Sequence, residues 1–187
     1  MKSTISQISK AAFIAIGLVG LVTVTSCDTA PPTPQGKTDL RQTSAGAINQ
    51  AEQNDPSMTN IIRDSAGYAV FPDIGKGAAG IGGAYGKGDV YQNGAVVGYC
   101  DMTQASIGMQ LGGQEYTEIL IFQTPDALAR FKSGDFSFDA QATAVAIKSG
   151  AGANAKFANE VAVFTMDESG LMYEASVGGQ KFSYQDR

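Results

Sequence analysis

Between Asp89 and Val97 the chain reads Asp-Val-Tyr-Gln-Asn-Gly-Ala-Val-Val, and this stretch restricts the fold more than any other. An Asn-Gly pair between apolar runs predicts a two-residue hairpin turn, because that turn needs φ > 0 at both central residues. Antiparallel pairing is then built in locally. Period-two patterning extends it in both directions. Tyr68–Phe71 reads as a short strand stopped by Pro72. From Thr103 to Leu111, Ala105, Ile107, Met109 and Leu111 alternate with Gln104, Ser106, Gly108 and Gln110, and Gly112-Gly113 turns the chain into a returning strand at Gln114–Phe122. Phe136–Ala146 alternates again, and further strands are expected at Val161–Met166, Leu171–Val177 and Lys181–Tyr184.

Helices are expected to be few. Thr38–Asn54 has helix-forming composition and a weak apolar stripe at Leu40, Ala47, Ile48 and Ala51. Asp55-Pro56 restarts a second helix through Met58, Ile61 and Ile62, with Asp as cap and Pro at the first helical position. Thr124-Pro125-Asp126 opens a third through Ala127, Leu128 and Phe131. The expected fold class is α+β and β-rich, a strongly curved antiparallel sheet or barrel with short helices, two of them N-terminal to the sheet. A faint internal echo fits two related antiparallel units: Ala105-Ser106-Ile107-Gly108 and Leu111-Gly112-Gly113-Gln114 recur, compressed, as Ala175–Gln180. The spacings differ, so no solenoid repeat is implied.

The N-terminus precedes the fold. Lys2 and Lys10 supply positive charge, and Ala11–Val24 is a mostly apolar, uncharged stretch of 14 residues. That length suits a secretory h-region and is short of the roughly 18 to 20 residues that span a bilayer. Val24-Thr25-Ser26-Cys27 then resembles a bacterial lipobox. That likeness implies a signal peptide at 1–26, a Cys27 that carries acyl chains such as palmitate, and a tether at 27–37 leading into a single domain at 38–187. Within it, residues 38–64 are the helical lead-in and 67–187 the β-rich body. The Pro-rich run Asp28–Gly36 reads as a short, extended spacer. Several acyl chains anchor a protein stably where one does not. The implied location is the bacterial envelope, facing the periplasm in a Gram-negative cell, with inner and outer membrane both open.

Composition removes whole classes of chemistry. The chain has no histidine, so Ser-His-Asp and Cys-His catalysis and the His-based metal helix are excluded. Two cysteines without histidine do not make a four-ligand zinc site of the usual kind, and no cofactor is expected. Net charge is −5, and removing residues 1–26 takes two lysines and no acid, leaving −7. Nucleic acid is therefore not an expected partner. With Cys27 lipidated, Cys100 has no disulfide partner and reads as a small buried hydrophobe.

Several motifs have competing readings. Gly75-Lys76-Gly77-Ala78-Ala79-Gly80 matches the dinucleotide-binding pattern, but the glycines at 82, 83 and 86 are poor material for the helix it requires. Lys76 and Lys87 are each flanked by glycines. Unhindered backbone N–H groups beside an ammonium suit a phosphate headgroup, and equally these glycines serve turns beside solvated lysines. Asp101, Glu115 and Glu118 lie on expected strands, with nothing to say that they converge for acid–base work. The aromatics Tyr68, Phe71, Phe122, Phe131, Phe136, Phe138, Phe157, Phe164, Tyr173 and Phe182 read as core.

With these segments in view, the chain resembles the SYLF domain family. The carrying residues are Gly67–Pro72, Gly80–Ala84, Gly98-Tyr99-Cys100-Asp101-Met102-Thr103-Gln104-Ala105-Ser106, Gln110–Gln114 and Gly170–Gln180. The resemblance implies a β-rich domain with short helices and a non-enzymatic role. Its implied partners are membrane lipid through the acylated N-terminus and a lipid or acyl-chain ligand, with no protein partner specified. A structural or protein-interaction lipoprotein of the envelope is the alternative. Eukaryotic members engage phosphoinositides through a basic N-terminal segment. Here Lys37, Arg41 and Arg63 are diluted by Asp39, Glu52, Asp55 and Asp64, so neither that specificity nor actin binding is carried over.

Overall fold

A computed structural model describes residues 29–79, 81–106, 114–134, 136–138, 144–167 and 177–187. Helix α1 spans Pro34–Asn54 and α2 Ser57–Asp64. Strands β1 to β4 follow at Gly67–Ala79, Ile81–Gln92, Ala95–Ser106 and Gln114–Phe122. After α3 at Pro125–Lys132 come β5 at Val145–Ala146, a single 3-10 turn at Gly152–Asn154, β6 at Val161–Asp167 and β7 at Gln180–Asp186. The seven strands form one sheet in the order β5-β6-β4-β1-β2-β3-β7. The architecture is α+β, as expected. The sheet is mixed rather than purely antiparallel, because β5 runs parallel to β6. Its strand order is open, with β5 and β7 at the ends and no closing pair between them among the described residues.

The hairpin sits where the sequence puts it. Asn93 and Gly94 have φ of 53° and 74°, both in the left-handed region the turn requires. The strand after the turn is longer than expected: Ala95–Ser106 is continuous, and residues 107–113 lie outside the described residues. Gly98 keeps it unbroken by lying under the ring of Tyr184 on β7, which a Cβ would strike.

Pro72 does not stop its strand. The register of β1 against both neighbours shifts between residues 70–71 and 73–74, so Pro72 occupies a bulge where no ladder N–H is needed. Its carbonyl accepts a 2.7 Å hydrogen bond from Thr117 Oγ1. The strand then runs on through the glycine-rich residues to Ala79, where turns had been expected. The expected strand at Phe136–Ala146 is reduced to a bridge at Ser137 and the two residues of β5, with 139–143 outside the described residues. The expected strand at Leu171–Val177 and Tyr173 also fall outside them, apart from Val177 itself.

The spacer reading of Asp28–Gly36 needs correction. Thr33 caps α1, its Oγ1 accepting from Gly36 N at 3.0 Å, and Pro34 takes the first helical turn, where its missing N–H costs nothing. The helix thus starts four residues before Thr38. Thr29, Ala30 and Pro31 are buried against the sheet. At the far end of α1, Asp55 ties three segments together. Its Oδ1 accepts from Ser57 N, Ser57 Oγ and Gly150 N, and its Oδ2 from Gly152 N at 2.6 Å. Burial opposes the charged form, yet these donors hold the carboxyl below its usual range.

Both faces of the sheet are covered. On one, α3 and Phe136 pack over Phe71, Leu120, Phe122 and Phe182. Phe131 stands 4.9 Å from Phe122 and 5.4 Å from Phe182, ring centre to ring centre, with tilted planes. On the other, α1 and α2 lay Ala47, Ala51 and Met58 over Val70, Ile119, Ile121 and Phe164. Of the aromatics expected in the core, Phe71, Phe122, Phe131, Phe136, Phe164 and Phe182 are buried, and Tyr68, Phe138 and Phe157 pack half-buried against them. No helix among the described residues is long and apolar enough to cross a membrane.

Candidate functional site

The face under α1 carries the polar chemistry. Odd-numbered positions of β2 point to this side, so Lys87, Asp89 and Tyr91 lie in one column beneath the helix. Asp89 is fully buried. Ser44 and Arg41 of α1 are its polar neighbours, but among the described residues no hydrogen bond of ordinary length closes on either carboxylate oxygen. Burial raises its pKa to about 6, against the pull of the Ser44 hydroxyl and the Arg41 guanidinium. Tyr91 stacks flat on Tyr68, centroids 4.8 Å apart, and its hydroxyl is buried and raised in pKa by burial and by Asp89.

Beside this column a groove of about 340 Å³ opens between α1 and the sheet. Thr43, Gly46, Ala47 and Gln50 line its helix side, and Pro72, Asp73, Glu115, Tyr116, Thr117 and Met166 its sheet side. Its volume is at the low end for small-molecule sites, and Asp73 and Glu115 give it an acidic rim. The Pro72 bulge forms its floor.

Chain entry completes this face. Lys87 Nζ donates to the Thr29 carbonyl at 2.9 Å, and Ala30 N donates to Gln185 Oε1 on β7 at 3.0 Å. Lys37 then sets its ammonium 5.0 Å over the Tyr99 ring. Sequence reasoning missed this strap because a Pro-rich run looks like spacer whether or not it docks.

On the opposite face, Glu118 is buried and accepts from Gln180 Nε2 at 2.9 Å. The two come from β4 and β7, with three strands between them. Cys100 lies in the same core, its thiol pKa pushed up by burial, in agreement with its reading as a small hydrophobe. The three candidate carboxylates are not brought together. Glu118 points to the α3 side, Asp101 and Glu115 occupy the other phase of the pleat, and β1 and β2 separate those two. Among the described residues no group of three acidic or cysteine side chains stands ready for a metal.

Of the expected site residues, Cys27 lies outside the described residues. Lys76 is a β1 position paired with Ala84 and Gln114, whereas Lys87 pairs with Asp73 and Asp101. The two positions are three steps apart on one ladder, an odd offset, so they fall in opposite phases of the pleat. The dinucleotide pattern is excluded here, because Gly75–Ala79 is strand, paired with β2 throughout and with β4 at Gly75 and Lys76, and not the opening of a helix for a pyrophosphate.

Residues 103–187 match the family model described as Ysc84, Las17-binding protein actin regulator. The matched segment begins within β3 and takes in β4, α3, β5, β6 and β7. No curated protein matches the chain.

Proposed function

Because residues 103–187 match that family model, the domain of the SYLF family, we propose that this protein is a SYLF-family member, a non-enzymatic, membrane-anchored lipoprotein whose SYLF-like domain binds lipid or membrane. The family match is the observation that carries the reading. The lipobox at Val24–Cys27 supports the anchor and a periplasm-facing envelope location. Lipid contact is assigned to the surface rather than to an interior cavity, since both faces of the sheet are filled by side chains. Lys87, which also holds the Thr29 carbonyl, and Lys76, in the opposite phase of the pleat, are the basic positions offered to headgroups, separately rather than as one site. We further read the sheet as strongly curved. In a flat sheet, β4 and β7 would stand four spacings, about 19 Å, apart. The direct Glu118–Gln180 hydrogen bond supports a concave α3 face.

Native mass spectrometry and lipid extraction on a Cys27→Ser form test the binding reading. Co-purified lipid near one equivalent, or liposome binding that Lys76→Glu with Lys87→Glu abolishes, is expected. A protein that is empty and ignores liposomes would transfer the assignment to the second reading, a protein-interaction lipoprotein. The filled cores and the small, acid-rimmed groove favour that second reading.

A further inference from the structure

The strap at Thr29–Pro31 has a consequence for how a lipidated Cys27 would hold the domain. Thr29 is fixed by Lys87 and Ala30 by Gln185, and Ala30 is 2% exposed. Only Asp28 separates Cys27 from this docked stretch, so Cys27 reaches at most about 7 Å from Thr29. A free tether over residues 27–37 in an extended Pro-rich form would instead allow about 30 Å. The strap therefore removes almost all stand-off from the bilayer.

Next to the strap, beyond the part of this face that α1 packs on, the described residues include an exposed row. Tyr85, Thr103 and Lys181 form one register row across β2, β3 and β7, and all three are exposed. Tyr85, at 48%, is the exposed large hydrophobic among the described residues. It lies two residues, about 7 Å along the strand, from the lysine that grips Thr29. A tyrosine with an apolar body and polar tip, next to a lysine, is the pairing that settles at a membrane–water interface.

We infer that Thr29–Pro31 is a clamp that pins a lipidated Cys27 beside the open end of the β2-β3-β7 face, so that Tyr85 and Lys181 rest on the headgroup layer and α3 faces away. This orientation rests on the anchor reading above. The occupant of the exposed row is a bilayer surface, identified by the two-residue reach from the docked Thr29 to an acylated Cys27.

The absence of tryptophan in the chain allows a direct test with single indole reporters. The full, processed protein carrying Tyr85→Trp would be reconstituted into phosphatidylcholine vesicles with brominated acyl chains and compared with Ala129→Trp, an exposed α3 position on the opposite face. Tyr85→Trp fluorescence is expected to be quenched at least about twofold and Ala129→Trp little changed. Ejecting the strap with Ala30→Glu plus Gln185→Ala should bring the Tyr85→Trp signal to the Ala129→Trp level while the lipid remains attached. A lipidated, vesicle-bound protein with an unquenched Tyr85→Trp, or quenching that survives strap ejection, would overturn the clamp and leave the anchor standing. A mature chain whose mass shows no lipid on Cys27 would overturn both.

Discussion

The two faces of this sheet are built from different materials. Under α3, the core is a run of aromatic rings, Phe71, Phe122, Phe131, Phe136 and Phe182, that shares its burial with Cys100, whose thiol pKa is pushed up. Under α1, the small Ala47 and Ala51 of the helix lie on branched and aromatic sheet residues, and Ser44 and Arg41 of the same helix meet a buried carboxylate. The first face contributes stability through area and shape. The second gives up some stability to hold polar groups, and it is the face where the groove, the strap and the exposed Tyr85 row collect. Function is more readily accommodated where packing is less complete.

Truncating the aromatic face should have the largest effect. Phe131→Ala removes a fully buried ring in contact with three others and should cost about 3 to 5 kcal/mol, read as a lowered urea midpoint. A loss below about 1 kcal/mol would mean that this face is not the stabilising one.

The α1 face should respond to pH. Asp89 has a folded pKa of about 6 against an ordinary value of 3.8, so the folded chain binds the extra proton between those values. Stability is therefore greatest below the unfolded pKa and falls as pH rises from about 4 to about 6. The full drop is about 3 kcal/mol, taking 1.36 kcal/mol per pKa unit. Asp89→Asn should flatten that slope in denaturant titrations across the window, and an unchanged slope would remove Asp89 as its source. Thr33→Ala is the smallest perturbation. Losing the cap of α1 should cost about 1 kcal/mol, visible as a lowered Tm, with the aromatic face unaffected.

The same contrast governs what was legible in the sequence. The hairpin at Asn93-Gly94 and the α3 start at Thr124-Pro125 are local signals, each fixed by turn or cap chemistry within four residues, and both hold. Pro72 was misread because a bulge depends on both neighbouring strands, which a local rule does not see. Asp89 was passed over for a related reason. When both faces are covered, Val90 and Asp89 are buried alike, and alternation no longer distinguishes core from solvent. The strap depends on Lys87 and Gln185, which lie 58 and 155 residues away along the chain from their partners, so nothing near Thr29 announces it.

Asp55 joins the α1–α2 corner to Gly150 and Gly152, 95 and 97 residues downstream. Contacts of that sequence separation close a large loop and tend to form after the folding nucleus. Removing them should leave the rate of folding nearly unchanged and raise the rate of unfolding. The corner is thus expected to govern how long the helices stay docked once the domain is made: Asp55→Ala should raise the unfolding limb of a chevron with little change in the folding limb, and a slowed folding limb would place the corner in the nucleus instead.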